Sequence, residues 1–304
     1  MKTAKKHIDT EHLLFTTANT IFLIALALVT VYPFANTIVI SLNEGLDTIR
    51  GGIYLWPRAF TLHNYRVVLS NNAIYHAAFI SVSRTLLSTV LNIFLTTMLA
   101  YALSRKEFVF RKPITILFVL TMYFNAGLIP NYFLYRSLGL INNFLVYIVP
   151  SMVYAFNLIV IRTYIGTIPE SLVESAKLDG AGDFKVFLRI IFPLCKPVLA
   201  TVALFVAVGA WNSWFDSFIY CTKQSLSTLQ YELMKLIAIA NISNSNSALL
   251  SDAMSGGAAA AKNFANPVSI RAAVTVIAAT PMVLIYPFLQ KYFIVGLTVG
   301  SVKE

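Results

Sequence analysis

Charged side chains are scarce in this 304-residue chain, at 12% of the total, where an ordinary globular domain carries about 25%. Apolar residues make up 58%, and the mean hydropathy is +0.72. A soluble protein of this size could not keep so much apolar surface out of water behind so few charges. Disorder is excluded on the same ground, since disordered chains are poor in apolar residues. Histidine and cysteine are rare too. His7, His12, His63 and His76 are scattered over three segments, which argues against a metal site. Cys195 and Cys221 are the only cysteines, and 26 helical residues would hold them about 39 Å apart, far beyond disulfide reach. The chain also lacks a G-x-x-x-x-G-K-[ST] phosphate loop, a G-x-S-x-G elbow and an H-E-x-x-H pair. No catalytic residue, metal ligand or cofactor is therefore assigned to it, and energy for any work must come from a partner.

Long apolar runs are what the chain has in abundance. Charge-free windows lie at 14–41, 85–104, 113–135, 144–161, 197–215 and 272–290. Each reaches or approaches the roughly 20 residues that carry a helix across about 30 Å of hydrocarbon. Period-2 alternation is absent, so a barrel is not indicated. The expectation is an all-α membrane protein of six spanning helices, a single domain over residues 1–304. The net charge of +10 could point to nucleic acid, but its distribution reads as a topology signal. Segments 1–13, 104–113, 162–197 and 291–304 hold 14 Lys and Arg in 73 residues, against eight in the 91 residues of 42–73, 135–143 and 222–271. That places both termini in the cytoplasm. The first apolar run is too long for a signal peptide and no A-x-A-like site follows it, so it stays in the membrane. Pro281 and Pro287 should bend the last span.

The longest cytoplasmic stretch, about 165–193, carries the most information. Thr167 and Glu170 have capping-box spacing, and Pro169 falls in a first turn. A helix to about Asp179 would set Glu174 and Lys177 as an i,i+3 pair, and Gly180 would end it. Asp183 could cap a second short helix ending near Pro193, with Phe184, Phe187, Leu188 and Ile191 on one face. Such a helix–turn–helix suits docking into a groove of another protein; a plain connecting loop on the membrane surface is the other reading.

Here the residues carry a resemblance. Glu174-Ser-Ala-Lys-Leu-Asp-Gly180, followed by Ile190 and Pro193, resembles the EAA signature of permease subunits of ATP-binding-cassette importers. Ser175 departs from the usual alanine and Phe192 from the usual leucine. The similarity extends through Tyr54-Leu-Trp-Pro-Arg-Ala-Phe-Thr-Leu-His-Asn-Tyr65, Gly127-Leu-Ile-Pro130, Leu138-Gly-Leu-Ile-Asn142, Ala210-Trp-Asn-Ser-Trp-Phe-Asp216 and Gln290-Lys-Tyr-Phe-Ile-Val-Gly-Leu-Thr298. These are similar to the second permease of carbohydrate importers, and most of all to oligosaccharide or polysaccharide-fragment permeases of Gram-positive bacteria. The resemblance implies a type I importer fold in the bacterial cell membrane. It implies a second, different permease, an extracellular solute-binding protein, and two ATPase subunits that supply ATP and Mg chemistry. Glu170, Glu174, Ser175, Ala176, Lys177, Asp179, Gly180 and Ala181 would form the element that docks on an ATPase.

On the outer side, residues 222–269 form a long Gly- and Ser-containing loop, with Asn241-Ile-Ser-Asn-Ser-Asn-Ser247 and Ser255-Gly-Gly-Ala-Ala-Ala-Ala261. In the resembled family such a loop reaches into the binding protein; by composition alone it is a flexible segment. Trp211, Asn212, Trp214 and Asp216 are the densest aromatic–polar group in any span, a candidate sugar pathway or an interfacial belt. Asp216 and Arg84 fall at the same level by helix arithmetic; the two could pair, or both could simply reach headgroup water. Import of a peptide or another solute is the alternative cargo. A stand-alone channel or ion-coupled carrier would need buried ionisable groups near the midplane, and none is visible.

Overall fold

The computed structural model describes residues 10–243 and 266–301. Among these, all regular structure is helical, apart from a lone antiparallel bridge between Asn43 and Phe60. Three helices are long and apolar enough to cross a membrane unaided: 13–41, 72–104 and 267–287. Two more stretches qualify only as bent pairs, 144–151 with 155–165 at 44°, and 183–194 with 196–212 at 79°. By length and composition that makes three spans, or up to five, rather than the six expected.

Two compact units can be described separately. The first comprises residues 10–70, 236–243 and 266–277. Helix α1, Thr10–Ser41, enters it from the long apolar run. At its end a polar knot ties together the short helical turns Gly45–Ile49 and His63–Leu69. The fully buried Asn43 donates to Asp47 at 3.0 Å and Thr48 at 3.1 Å and accepts from the Ala59 N–H at 3.0 Å. Asn64, equally buried, donates to the carbonyls of Ser41 and Asn43, both at 2.9 Å. The Asn43 amide beside Asp47 holds that carboxyl below its usual value, with Arg58 assisting. A buried amide bonded through both its nitrogen and its oxygen, as Asn43 is, fixes a chain path as apolar contacts cannot.

The second unit comprises 71–235 and 278–301. Its axis is α2, Asn72–Ser104, which begins 13 residues before the apolar window because Asn71 caps it, accepting from the Ala73 N–H at 3.0 Å. The window at 113–135 does not form one helix. It breaks into α3, Arg111–Tyr123, and α4, Leu128–Ser137, with Gly127 at φ +87° between them. That conformation is open to glycine and strained for other residues. After two 3₁₀ turns at 144–151 comes α5, Ala155–Ile165. The 165–193 loop then holds α6, Ser171–Leu178, and α7, Asp183–Val186. A π-helical stretch Phe187–Ile191 and a turn Phe192–Leu194 lead into α8, Lys196–Asn212. The short α9, Phe215–Tyr220, precedes α10, Leu229–Ser243, so the first part of the outer 222–269 loop is helical. Residues 244–265, with most of its Ser- and Gly-containing sequence, lie outside the described residues. Helix α11, Pro267–Ser301, runs unbroken past Pro281 and Pro287.

Helix α2 packs on α5 and α8. Leu103, Leu158, Ile161, Ile165, Phe187 and Ile191, each at most 2% exposed, are among the core residues there. Phe187 is braced by the rings of Phe94, Tyr101, Phe184 and Phe192 at centroid distances of 5.8–6.1 Å. The π-helical register corrects the expected apolar face. Phe184 and Leu188 are exposed, while Val186, Phe187 and Ile191 point inward, because the wider turn shifts the 3.6-residue stripe.

Candidate functional site

Two parts of the second unit carry side chains suited to function. The first is the 165–193 loop. Helix α6 ends in a Schellman motif, with the Gly180 N–H bonded to the Lys177 carbonyl at 3.0 Å and the Ala181 N–H to the Ala176 carbonyl at 2.9 Å. Gly180 sits at φ +75°. Val173 is buried, and Ala176 and Ala181 pack on the core. Glu174, Ser175, Lys177, Asp179 and Gly180 are exposed at the tip beside Leu178, which is 89% exposed. A large aliphatic side chain held in solvent on a rigid turn is what a docking element needs.

The local bonding differs from the spacing argument. No capping box forms, since Thr167 donates to the Tyr164 carbonyl and Glu170 takes the N-cap position without a side-chain bond to the helix. Glu170 instead accepts from Lys106 at 2.8 Å. Lys177 does not pair with Glu174; it meets Glu107 at 3.2 Å and Asp183 at 3.3 Å. Asp183 is the first residue of α7 rather than its cap. The Lys106 ammonium lowers the Glu170 carboxyl below its usual value, and Glu107, then Asp183, raise Lys177 above its own. Both pairs stitch the loop to the turn after α2. Lys106 and Glu107 carried no sequence signal for this, because ion pairs between distant segments leave no periodicity.

The second part lies about 32 Å away along α2, by a rise of 1.5 Å over the 21 residues from Arg105 to Arg84. Arg84, 5% exposed, forms an ion pair with Asp216. It donates to the Ser213 carbonyl at 3.1 Å and lies 4.5 Å from the Tyr147 ring centroid. Ser213 donates to the same Asp216 oxygen at 2.8 Å. The pair lines a cavity of about 410 Å³, walled also by Asn131, Tyr135, Tyr154 and Tyr220, with Asn125, Gly127 and Leu128 at the break between α3 and α4. Of the four residues singled out from the sequence, Asp216 alone lines it. Trp211 is buried and donates to the Ala278 carbonyl at 2.9 Å. Trp214 packs on Phe215 and Phe218, and Asn212 is exposed. The cluster dissolves because α8 ends at Asn212 and the chain turns before α9, sending neighbouring residues in different directions. The tyrosines come from three separate elements and could not be found by spacing. The Asn125-Ala-Gly127 interruption in an apolar run was the available signal.

The sequence profile described as "Binding-protein-dependent transport system inner membrane component" matches residues 12–298. A polygalacturonan/rhamnogalacturonan transport system permease protein (YtcP) of Bacillus subtilis (strain 168) is 35% identical over 284 residues, 93% of this chain and 96% of that protein. An arabinooligosaccharides transport system permease protein (AraQ) of the same organism is 28% identical, covering 94% of this chain and 95% of its own length. A chain from the crystal structure of a bacterial ABC transporter involved in the import of the acidic polysaccharide alginate superposes with a TM-score of 0.82 at 28% identity, over 96% of this chain and all of that one. With a profile match across nearly its whole length, the chain belongs to the binding-protein-dependent transport system inner membrane component family.

Proposed function

We propose that this chain is the transmembrane permease subunit of an ATP-driven carbohydrate importer, and that its cargo is an oligosaccharide. The exposed, Schellman-closed turn of α6 carries the reading, because it offers a rigid knob through which an external motor can act. The relatives named for pectic fragments, arabinooligosaccharides and alginate support a sugar rather than a peptide.

In this reading residues 1–304 form one membrane domain of six spans, with 111–137 crossing as a broken helix and both termini cytoplasmic. A second permease completes the path. Two ATPase subunits, with their ATP and Mg, seat the 165–193 loop, and a binding protein delivers sugar outside, where the 222–269 loop meets it. Glu174 pairs with a basic side chain of the ATPase, supported by its exposure and by the absence of an ion pair to it among the described residues. Ser175, Ala176, Lys177, Asp179, Gly180 and Ala181 shape the knob, and Glu170 anchors its base. The chain performs no covalent chemistry. Asp216 marks the sugar path. Trp211, Asn212 and Trp214 precede it in the chain and lie outside the cavity lining.

The test is reconstitution of the whole importer in proteoliposomes. Glu174→Ala and Gly180→Pro should abolish uptake while the permease still inserts and assembles. Unchanged sugar-stimulated ATP hydrolysis in either variant would overturn the coupling role.

A further inference from the structure

The break between α3 and α4 poses a physical problem that the cavity answers. Among the described residues, no hydrogen bond takes the N–H of Asn125 or of Ala126. The Asn125 side-chain oxygen accepts from the Gly127 N–H at 2.9 Å. In the reading above, residues 111–137 cross the membrane as a broken helix, and non-helical backbone there is tolerated only where protein covers it or where it lines a polar cavity. These residues are exposed in the chain, and Asn125 and Gly127 line the 410 Å³ space. Interrupted spanning helices are the places where transporters put solute sites.

The walls indicate which solute. Tyr135 meets Tyr220 edge-on at 5.0 Å between centroids, giving an aromatic corner of fixed geometry. Among the described residues no hydrogen bond takes the hydroxyls of Tyr135 or Tyr154 or the side-chain amide of Asn131, so these groups remain for a ligand. Aromatic faces with a few convergent hydroxyls and amides match the alternating C–H and O–H faces of a pyranose ring. A volume of about 410 Å³ lies within the roughly 300–1,000 Å³ of small-molecule sites.

The charges narrow the class further. Arg84 and Asp216 are the charged residues lining the cavity, and they are paired with each other. Arg84 gives one Nη to the Ser213 carbonyl and the other to Asp216, and its Nε is buried without a partner, so a ligand carboxylate would have to share the cavity's one cation with Asp216 beside it. Resting on the carbohydrate reading above, we infer that this cavity is a sugar subsite within this subunit and that the ring it holds is uncharged.

A charge-reversal pair at Asn131 tests this in the reconstituted importer. The probe is the oligosaccharide that the binding protein retains from a panel of neutral and uronate-containing chains. Asn131→Asp and Asn131→Lys should each lower uptake about tenfold, the loss of roughly one hydrogen bond's discrimination, with assembly retained. Uptake kept or raised by Asn131→Lys but lost in Asn131→Asp would overturn the uncharged ring in favour of a uronate. Unaltered uptake in both would overturn the subsite while leaving the importer reading intact. Failure of the unsubstituted complex to move any sugar would instead overturn the importer reading, and this inference with it. Should the charged variants not assemble, Asn131→Cys decides, because Cys195 and Cys221 are both buried. The oligosaccharide should slow maleimide labelling of the new thiol several-fold, and an unchanged rate would overturn the subsite.

Discussion

Arg84 and Asp216, separated by 132 residues of sequence, form an ion pair in which the two partners are unequally covered. The arginine side chain is 6% exposed and the aspartate 36%. Arg84 also holds the Ser213 carbonyl and faces the Tyr147 ring, yet a buried cation needs a counter-charge. Removing one member of a buried pair costs mainly what the abandoned charge loses.

The two truncations should therefore differ. Asp216→Ala strands the buried guanidinium and should destabilise the protein by about 3 kcal/mol or more. Arg84→Met preserves the apolar stem and leaves a carboxylate that is partly wet and still bonded by Ser213, so it should cost about 1–2 kcal/mol. Thermal unfolding of the assembled complex in detergent measures both, and a larger effect from Arg84→Met would contradict the asymmetry.

Gly180→Ala isolates conformation from contact. A methyl group there meets nothing within 4 Å, but the backbone holds φ +75°. The expected penalty is about 1–2 kcal/mol of local strain, the cost of a left-handed conformation for an L-residue. Gly182→Ala has equally open space and no positive φ, and should be nearly neutral. Protease cutting within 171–186 should accelerate in the first variant and not in the second.

Phe187 stands where the π-helical stretch meets the core, 1% exposed and touched by four other aromatic rings. Phe187→Ala should destabilise by about 3–5 kcal/mol through lost burial and the cavity left behind. Phe184→Ala removes a side chain that is 62% exposed and should cost much less. Equal losses in the two variants would mean that the wider turn does not set the buried face.

The Glu170–Lys106 contact gives a pH dependence of known sign. Lys106 holds the Glu170 carboxyl below its ordinary value, so folding to this contact favours the ionised form. Its contribution is present above the ordinary glutamate range and is lost as pH falls through the lowered value. Both groups are exposed and the gain is small. Wild type and Glu170→Gln should thus differ slightly at neutral pH and converge in acid, as read by hydrogen exchange at 170–174. A gap that widens in acid would reverse the assignment.

Much of this was readable from residue order. The apolar runs located α1, α2 and α11 because a helix long enough to cross hydrocarbon needs only local composition. The Gly180 stop was legible because a positive φ has few hosts. The failures share a cause. Lys177 turned from Glu174 to Glu107 and Asp183, and Glu170 from the helix cap to Lys106, because side chains brought close by tertiary packing outcompeted neighbours at helical spacing. The 113–135 run looked continuous since hydropathy averages over Gly127 and does not register one residue at φ +87°.

The sequence alone determined that this chain is a helical membrane protein with a glycine-terminated helical turn between Glu174 and Gly180, since hydropathy and turn chemistry act over a few residues. Only the tertiary structure decided which side chains share a cavity. Arg84 comes from α2, Asn131 and Tyr135 from α4, Tyr154 from the start of α5, and Asp216 and Tyr220 from α9, and their meeting depends on how these elements cross, a matter of packing at long range that no local pattern encodes.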